Sequence, residues 1–279
     1  MDFDALIKEE LLPYDTDTYD YRGLIAKILE CEDRDLSLLH ETVPGCEDSA
    51  VLTVAHDQCL VFHRMYYQHP LMYKVLDMYE DMIKNYIAPM FKDDVIVYQK
   101  RPTFRVQLPN NTAVPSDLGG DPERPGLHRD SDFNHPLGEI NFWVPFTQTL
   151  PDNTVWTESE VDKGDFHPVL TDNGNILRFY GNQVMHYNKI NVSGRTRVSF
   201  DFRVIPLSKY NPHMEVKRSV QTGRRFTVGE GIMDYYSTFD KRTGGKYVFE
   251  EDSRDASPAT VGGEEVAEAA HVEPLGYSV

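Results

Sequence analysis

The amino-acid sequence predicts an all-β core with flanking helices, arranged as a double-stranded β-helix, or jelly roll, behind an N-terminal helical region. Helical patterning fills residues 1–92 of the 279-residue chain. Short runs rich in β-branched and aromatic residues then follow one another, separated by clusters of Pro, Gly, Asn and Asp. No helical pattern lies between those runs, so antiparallel pairing is the simplest arrangement, and helices outside one sheet would cover its apolar face.

The N-terminal helical support, residues 1–92, contains three helical patterns. Apolar residues recur at helical spacing over residues 1–12, 21–39 and 71–88, and a proline follows the first and the last of these segments. An acidic stretch interrupts the second segment. Residues 50–63 fit neither a helix nor a strand clearly.

The β-rich core is predicted over residues 93–206, followed by a flap over residues 207–249 and an acidic tail over residues 250–279. The flap segment is irregular and aromatic, and it is long enough to cross an opening of the barrel. The tail is rich in Glu, Asp, Ala, Gly and Ser with little apolar content, which predicts mobility. Nine strands are predicted in the core: 94–99, 103–108, 126–130, 139–147, 154–158, 166–170, 175–180, 183–188 and 196–205.

Composition and charge exclude several classes of protein. Against 28 Lys and Arg stand 45 Asp and Glu, a net charge of −17 that repels phosphate backbones and anionic bilayers. No apolar run approaches the roughly 18–20 residues of a membrane span, and the acidic start lacks the basic region of a signal peptide. The three cysteines are an odd number without a C-x-x-C pair, which favours a reducing compartment. We therefore expect a cytoplasmic protein that binds neither nucleic acid nor membranes; the oligomeric state stays open.

Three residues carry the pattern of a metal site. His128 and Asp130 end a predicted strand, and residues i and i+2 project from the same face of a strand. His186 follows in a later extended run, after the turn signal Gly181-Asn182. Two imidazoles and one carboxylate form the facial triad of non-haem Fe(II) oxygenases, which leaves three coordination positions open for a cosubstrate and dioxygen. We predict that these three residues bind the metal and are catalytic.

Two further residues predict an anchor for a dicarboxylate. Arg197 and Ser199 share one face of the predicted strand 196–205, and a guanidinium and a hydroxyl together suit a carboxylate group. A 2-oxo-dicarboxylate could chelate iron at one end while this pair holds the other, and 2-oxoglutarate has that shape. Arg195 has the same strand parity, but it follows Ser193-Gly194 and is expected in the turn, so Arg197 is preferred.

With these motifs, the chain resembles the Fe(II)/2-oxoglutarate-dependent dioxygenases, particularly their phytanoyl-CoA hydroxylase-like and streptomycin-biosynthesis-like branches. The resemblance spans residues 94–206. It implies H-x-D on the second strand of a cupin-like barrel, a distal His on the seventh and R-x-S on the eighth. It also implies Fe(II) as cofactor, 2-oxoglutarate and O₂ as cosubstrates, and hydroxylation of a small organic substrate with release of succinate. Related halogenases replace the carboxylate at position 130 with a small residue, so Asp130 disfavours halogenation.

Polar residues on neighbouring strands are candidates for the same cavity. Asn141 and Trp143 alternate with apolar residues, and we expect their side chains to contact the cosubstrate or the substrate. Arg105 and Gln107 alternate in the same way. For this second pair, contact with 2-oxoglutarate or the substrate and a half-exposed edge strand are equally supported.

Other polar residues have a simpler interpretation. His135 and His167 each precede a proline, which favours a place in a turn, although either could reach a substrate. Asp201 and Arg203 share the face of Arg197, and mutual charge neutralisation is preferred to a substrate contact.

Two alternatives from other classes remain open at this level. A cupin-like metal-dependent isomerase or hydrolase could use the same three ligands but would not need R-x-S beside them. A non-catalytic jelly-roll binding protein would explain the strands but not the convergence of two histidines and an aspartate. The substrate, and hydroxylation as opposed to desaturation, ring closure or epimerisation, cannot be read from the sequence.

Overall fold

The computed structural model describes residues 1–32, 35–42, 60–112, 123–213, 216–219 and 223–249. Met1–Tyr247 forms one compact unit. The α-helices are α1 (Phe3–Leu6), α2 (Tyr21–Ile28), α3 (Leu60–Gln68) and α4 (Met72–Met82). The strands are β1 (Glu10–Pro13), β2 (Val95–Gln99), β3 (Thr103–Gln107), β4 (Ile140–Pro145), β5 (Val155–Thr157), β6 (His167–Pro168), β7 (Asn175–Phe179), β8 (His186–Asn188), β9 (Arg197–Pro206), β10 (Arg225–Val228) and β11 (Asp234–Asp240).

The strands form two sheets, and this confirms the predicted all-β core with flanking helices. The larger sheet has eight strands in the order β1-β7-β4-β9-β2-β11-β10, with β3 paired to β9, and the smaller has the order β6-β5-β8. Strand β9 organises the larger sheet, because it pairs with β4 on one side and with both β3 and β2 on the other. All ten of its residues are buried.

The N-terminal helices cover the apolar face of the larger sheet, as expected. Phe142 and Phe202 stack between β4 and β9, with ring centroids 5.1 Å apart. Tyr79 of α4 packs edge-on against Phe202, and Tyr21 of α2 against Phe200, each with ring centroids 5.1 Å apart. This aromatic layer is the centre of the hydrophobic core, and it leaves the opposite face of β9 free for polar residues.

The helical segments are shorter and less regular than predicted. The pattern over 71–88 forms α4, then a π-helical turn (Ile83–Ile87) and a 3₁₀ turn (Ala88–Met90). The pattern over 21–39 gives α2 and a separate 3₁₀ segment, Leu36–Glu41. None of the helices in the described ranges is long and apolar enough to cross a membrane.

The prediction of a helix over residues 1–12 was wrong in its second half. The helix α1 ends at Leu6, and Glu10–Pro13 becomes β1, which pairs antiparallel with β7. Strand β7 would otherwise present an unpaired edge, and edge strands attract a further strand. The buried Arg178 of β7 also donates to the carbonyl oxygens of Ala5 and Lys8, which fixes the turn between α1 and β1.

The expected flap also needs correction, because residues 225–228 and 234–240 are strands of the larger sheet. Strand β11 pairs antiparallel with β2 along five residues and is buried throughout. Its sequence, Asp-Tyr-Tyr-Ser-Thr-Phe-Asp, is rich in aromatic and hydroxyl residues that suit a strand, and β2 offers it an open edge. The remaining boundaries of the four segments stay predictions, and the acidic tail, residues 250–279, lies outside the described residues.

Removing the Phe202 ring should test the aromatic layer. We expect Phe202→Ala to lower the free energy of unfolding by about 3–5 kcal/mol, because it leaves a cavity between Phe142 and Tyr79. Urea denaturation measures this. Leu170→Ala is the control, since Leu170 is 52% exposed and its truncation should cost under about 0.5 kcal/mol. Equal losses in the two variants would contradict this account of the core.

Candidate active site

The two histidines of the predicted triad face each other across a backbone bridge. His128 N–H donates to the carbonyl oxygen of His186 at 3.1 Å, and His186 N–H returns a bond to that of His128 at 2.9 Å. This exchange is an antiparallel pair, which places both rings on one side; their centroids are 4.3 Å apart.

Asp130 reaches the same point by a route that the sequence did not predict. Residues 126–130 were expected to form a strand, but outside the His128 bridge no strand pairing forms there, and Asp130 begins a 3₁₀ helix (Asp130–Phe133). Its backbone N–H donates to Gly181 at 3.0 Å. The convergence of His128 and Asp130 therefore comes from a bridge followed by a tight turn, and strand parity was the wrong reason.

A hydrogen bond to the backbone determines which nitrogen of each imidazole ring points away from the backbone. Nδ1 of His128 lies 2.6 Å from the carbonyl oxygen of Gly126, and Nδ1 of His186 lies 3.1 Å from that of Val184. Since a carbonyl only accepts, each Nδ1 carries the hydrogen and each Nε2 presents a lone pair. Both Nε2 atoms lie 3.6 Å from Oδ1 of Asp130. The three buried side chains thus offer one ligand atom each to a single metal ion.

The second carboxylate oxygen of Asp130, Oδ2, accepts hydrogen bonds from two other side chains. Oδ2 accepts from Nε and Nη2 of Arg203, at 3.1 and 2.9 Å, and from Nδ2 of Asn141, at 2.6 Å. Burial would raise the pKa of Asp130, but the Arg203 guanidinium holds this pKa well below its usual range. For His128, burial and the neighbouring His186 lower the pKa. The carboxylate is therefore ionised and turned so that Oδ1 faces the imidazoles.

Arg203 makes a contact in the cavity that its sequence pattern did not predict. The expected ion pair with Asp201 is present, but the same guanidinium also holds Asp130. Asp201 in turn accepts from Nε of Arg105 at 2.5 Å. Arg105, Asp201, Arg203 and Asp130 thus alternate in charge within the cavity wall, which balances four buried or nearly buried charges. The shared strand face of Arg197 and Arg203 was the available signal.

Arg197 is buried, and Asp201 offsets its charge only from beyond ion-pair distance. Arg197 is 1% exposed, and within the described residues its side chain makes one hydrogen bond, from Nη1 to the carbonyl oxygen of Asn153 at 3.3 Å. Among the described residues it makes no ion pair, and Nε has no partner. Burial, aided by Arg105, lowers the pKa of Arg197 to about 9. A buried cation in this state calls for an anion. Arg195, in contrast, is exposed and donates to Ser37, which favours Arg197 as the anchor.

The structure brings most, but not all, of the predicted residues to one cavity. The cavity lies between the two sheets and is lined by Arg105, His128, Asp130, Phe133, His135, Asn141, Trp143, Val155, Phe179, His186, Tyr187, Asn188, Arg197, Asp201 and Arg203. Ser199 lies beside it on β9 and is absent from the lining. Gln107 is also absent, because its Nε2 donates to the backbone of Asn111 and Lys189. Gln107 is fully buried, so it does not lie on a half-exposed edge, and it does not line the cavity either.

Several buried polar atoms on the strands around the cavity have no partner within the described part of the chain. They include three donors, Nε of Arg197, Nε1 of Trp143 and Oγ of Ser199, and two acceptors, Oε1 of Gln107 and Oδ1 of Asn141. Buried polar groups are nearly always hydrogen-bonded, and one left without a partner costs about 1–3 kcal/mol. A donor-rich set beside an unpaired guanidinium fits a bound carboxylate.

Comparison with known proteins adds one clear relative. The streptomycin biosynthesis protein StrG of Streptomyces griseus is 33% identical over 182 residues, which cover 64% of this chain and 79% of StrG. No family model matches the chain.

Similar solved structures are more distant. A non-heme monooxygenase described as a ThoJ–Ni complex is 13% identical, with 77% of this chain and 80% of that chain covered at a TM-score of 0.37. The non-heme alpha-ketoglutarate-dependent carbocyclase SnoK from nogalamycin biosynthesis is 13% identical, with 84% and 93% covered at 0.36. CytC3 with Fe(II) and alpha-ketoglutarate is 13% identical, with 80% and 84% covered at 0.34.

Removing the Arg203 guanidinium should loosen the metal site. We expect Arg203→Met to lower the affinity for Zn(II) or Co(II) about 10–100-fold, because Asp130 loses two of its three donors. Chelator competition measures this affinity, with circular dichroism to verify folding. Arg195→Met, an exposed arginine on the same stretch of chain, is the control. Unchanged affinity in a folded Arg203→Met variant would show that Asp130 is oriented without it.

Removing the unpaired cation should stabilise the protein without ligands. We expect Arg197→Met to raise the free energy of unfolding by about 1–4 kcal/mol, because a flexible apolar side chain replaces a buried, unpaired charge. Urea denaturation in metal-free, carboxylate-free buffer measures this. A fall of more than about 1 kcal/mol would contradict the view that Arg197 is strained in the absence of an anion.

Proposed function

We propose that this chain, which belongs to the streptomycin-biosynthesis-like branch of the Fe(II)/2-oxoglutarate-dependent dioxygenases, oxidises a small organic substrate, most simply by hydroxylation, with release of succinate and CO₂. The observation that carries the proposal is the unpaired Arg197 guanidinium, buried in the same cavity as the His128–Asp130–His186 cluster. A metal site alone would suit many reactions. A metal site beside a buried guanidinium that makes no ion pair fits a keto-acid cosubstrate.

The three ligand side chains fit a divalent metal that must keep open positions. His128, Asp130 and His186 each direct one atom to a common point, and the second oxygen of Asp130 is held away by Arg203 and Asn141. A carboxylate that binds through one oxygen occupies one coordination position. Two imidazoles and this one oxygen would leave three positions for the cosubstrate and dioxygen.

The fit to 2-oxoglutarate rests on the polar atoms around Arg197. Its distal carboxylate would accept from Arg197 and from the Ser199 hydroxyl, which has no other partner among the described residues. The Trp143 ring lies under the guanidinium, 5.5 Å from Cζ, and Trp143 Nε1 is a further donor that lacks a partner there. These residues would bind and orient the cosubstrate, so that its keto-acid end meets the metal.

With iron bound, the site would supply oxidative chemistry in which one atom of O₂ enters succinate and the other enters the substrate, while CO₂ leaves. The chain's own contribution is position and environment. Asp130 and the two histidines fix the metal, and Arg197 fixes the cosubstrate. Val155 and Phe179 of the cavity wall limit access of water to the reacting groups.

Anaerobic titration with Fe(II) and 2-oxoglutarate tests the proposal directly. We expect a metal-to-ligand charge-transfer band in the wild-type protein, because the keto acid would chelate the metal, and no band in His186→Ala. On admission of air, the wild-type protein should form succinate. A folded wild-type protein that gives neither band nor succinate would refute the assignment, and a band without succinate would favour a metal-dependent isomerase or hydrolase.

The two arginines provide a matched pair for the cosubstrate anchor. Arg197→Met should weaken 2-oxoglutarate binding at least about 100-fold, the scale of a charge-assisted bidentate contact. Its metal affinity should change little. Arg195→Met should bind 2-oxoglutarate as the wild type does. Loss of binding in Arg195→Met alone would reverse the assignment.

A further inference from the structure

Arg105 lines the cavity but uses only one of its donors within the protein. It lies on β3, directly opposite Ser199 of β9. Its Nε donates to Oδ1 of Asp201 at 2.5 Å, and this is the one hydrogen bond of its side chain within the described residues. A guanidinium carries five N–H donors, so four of them, on Nη1 and Nη2, have no acceptor there. The side chain is 16% exposed, which leaves these donors open to the cavity.

The bond to Asp201 fixes the position of the Arg105 guanidinium. Asp201 accepts from Arg105 through Oδ1 and from Arg203 through Oδ2, so its carboxylate is held from two sides. Arg203 also donates to Asp130, the predicted metal ligand. Arg105 is therefore connected to the metal site by consecutive ion pairs, and its remaining donors are held in place before any ligand binds.

The proposed cosubstrate does not need the donors of Arg105. 2-Oxoglutarate has two carboxylates, and the proposed function gives each of them a partner: one meets Arg197, and the other chelates the metal together with the keto group. Ser199 and Trp143 offer further donors that lack partners among the described residues. The terminal nitrogens of Arg105 are then left for a different ligand of the same cavity.

The charges of the cavity wall favour an anion as that ligand. The lining includes three arginines and two aspartates, namely Arg105, Arg197, Arg203, Asp130 and Asp201. A divalent metal and the 2-oxoglutarate dianion together add no net charge, so these side chains leave one positive charge in the loaded cavity. The buried carboxylate of Glu139 does not line the cavity: Oε2 lies 2.8 Å from Nδ1 of His135, and Oε1 accepts from Tyr236.

We propose that Arg105 binds an anionic group of the substrate, a carboxylate or a phosphate, which makes an organic acid or a phosphate ester the class of substrate. This inference rests on the proposed oxygenase function and names the group that the same cavity selects. The planar fork of Nη1 and Nη2 matches two oxygens of either group. A substrate that expels water from the cavity would leave these donors unpaired at a cost, unless it supplies the acceptors itself.

Three sugars that differ only at carbon 6 test the class of substrate. They are D-glucose 6-phosphate, D-glucuronate and the uncharged D-glucose. Isothermal titration calorimetry measures their binding to the wild-type protein loaded with Zn(II) and 2-oxoglutarate, so that Arg197 is occupied and no turnover takes place. We expect at least one charged sugar to bind at least about 10-fold more tightly than D-glucose, the scale of a charge-assisted hydrogen bond. The tighter of the two identifies the anionic group, and equal binding of all three sugars would overturn the inference.

Variants of Arg105 test whether this side chain causes the preference. In Arg105→Met the charged sugar should bind no better than D-glucose, and Asp201 keeps its bond from Arg203. Arg105→Lys keeps the charge but not the fork, so its preference should lie between those of Arg105→Met and the wild type. Arg195→Met removes an equal charge from an exposed position and should keep the full preference. A full preference in a folded Arg105→Met variant would overturn the inference, because the anion would then bind elsewhere.

The affinity for 2-oxoglutarate separates this inference from the proposed function. In Arg105→Met this affinity should change less than about 3-fold, because the cosubstrate does not contact Arg105. A loss as large as that in Arg197→Met would place Arg105 in the cosubstrate anchor and overturn the inference. Absence of the charge-transfer band in the wild type would instead refute the oxygenase proposal, and the dependence of sugar binding on Arg105, which is measured with Zn(II), is a separate result.

Discussion

The divided use of the two Asp130 oxygens is the constraint on which the rest of the site depends. A free carboxylate can rotate and can offer either or both oxygens to a metal. Here three donors from Arg203 and Asn141 occupy Oδ2, so Oδ1 alone remains beside the two imidazoles. Those donors come from β9 and β4, two central strands of the larger sheet. The rigid part of the fold thereby fixes the predicted metal ligand Asp130, which itself lies on a turn.

Strand β9 allows this arrangement because one of its faces is apolar and the other is charged. Phe200 and Phe202 face the aromatic core, and the alternate residues carry charge into the cavity. Buried charges are costly unless they are paired. Arg203 meets this requirement through Asp201 and Asp130, and Arg197 does not. Arg197, which makes no ion pair among the described residues, thus contrasts with the paired charges of the rest of the wall, and this contrast favours a ligand anchor over a structural ion pair.

Sequence patterns predicted the core strands and the triad because both depend on local signals. Alternation, turn residues and the spacing of His128, Asp130 and His186 are all visible along the chain. The partners of each strand are not visible: β1 and β11 join the larger sheet because β7 and β2 had open edges. For the same reason the bond from Arg203 to Asp130, 73 residues apart, could not be derived. The alternation of β9 identified the face that Arg203 shares with Arg197, but not what that face would meet.

The spacing of His128 and Asp130 predicted that their side chains converge, but for an incorrect structural reason. In a continuous strand, residues i and i+2 would lie on one face about 7 Å apart along the chain. The bridge at His128 and the 3₁₀ turn that begins at Asp130 bring Nε2 and Oδ1 to 3.6 Å. The turn also ends in Asn134, in the left-handed conformation at φ 70°, and delivers His135 to the same cavity. One short departure from strand geometry therefore places both Asp130 and His135 in the cavity wall, which explains why the wall is irregular at this point.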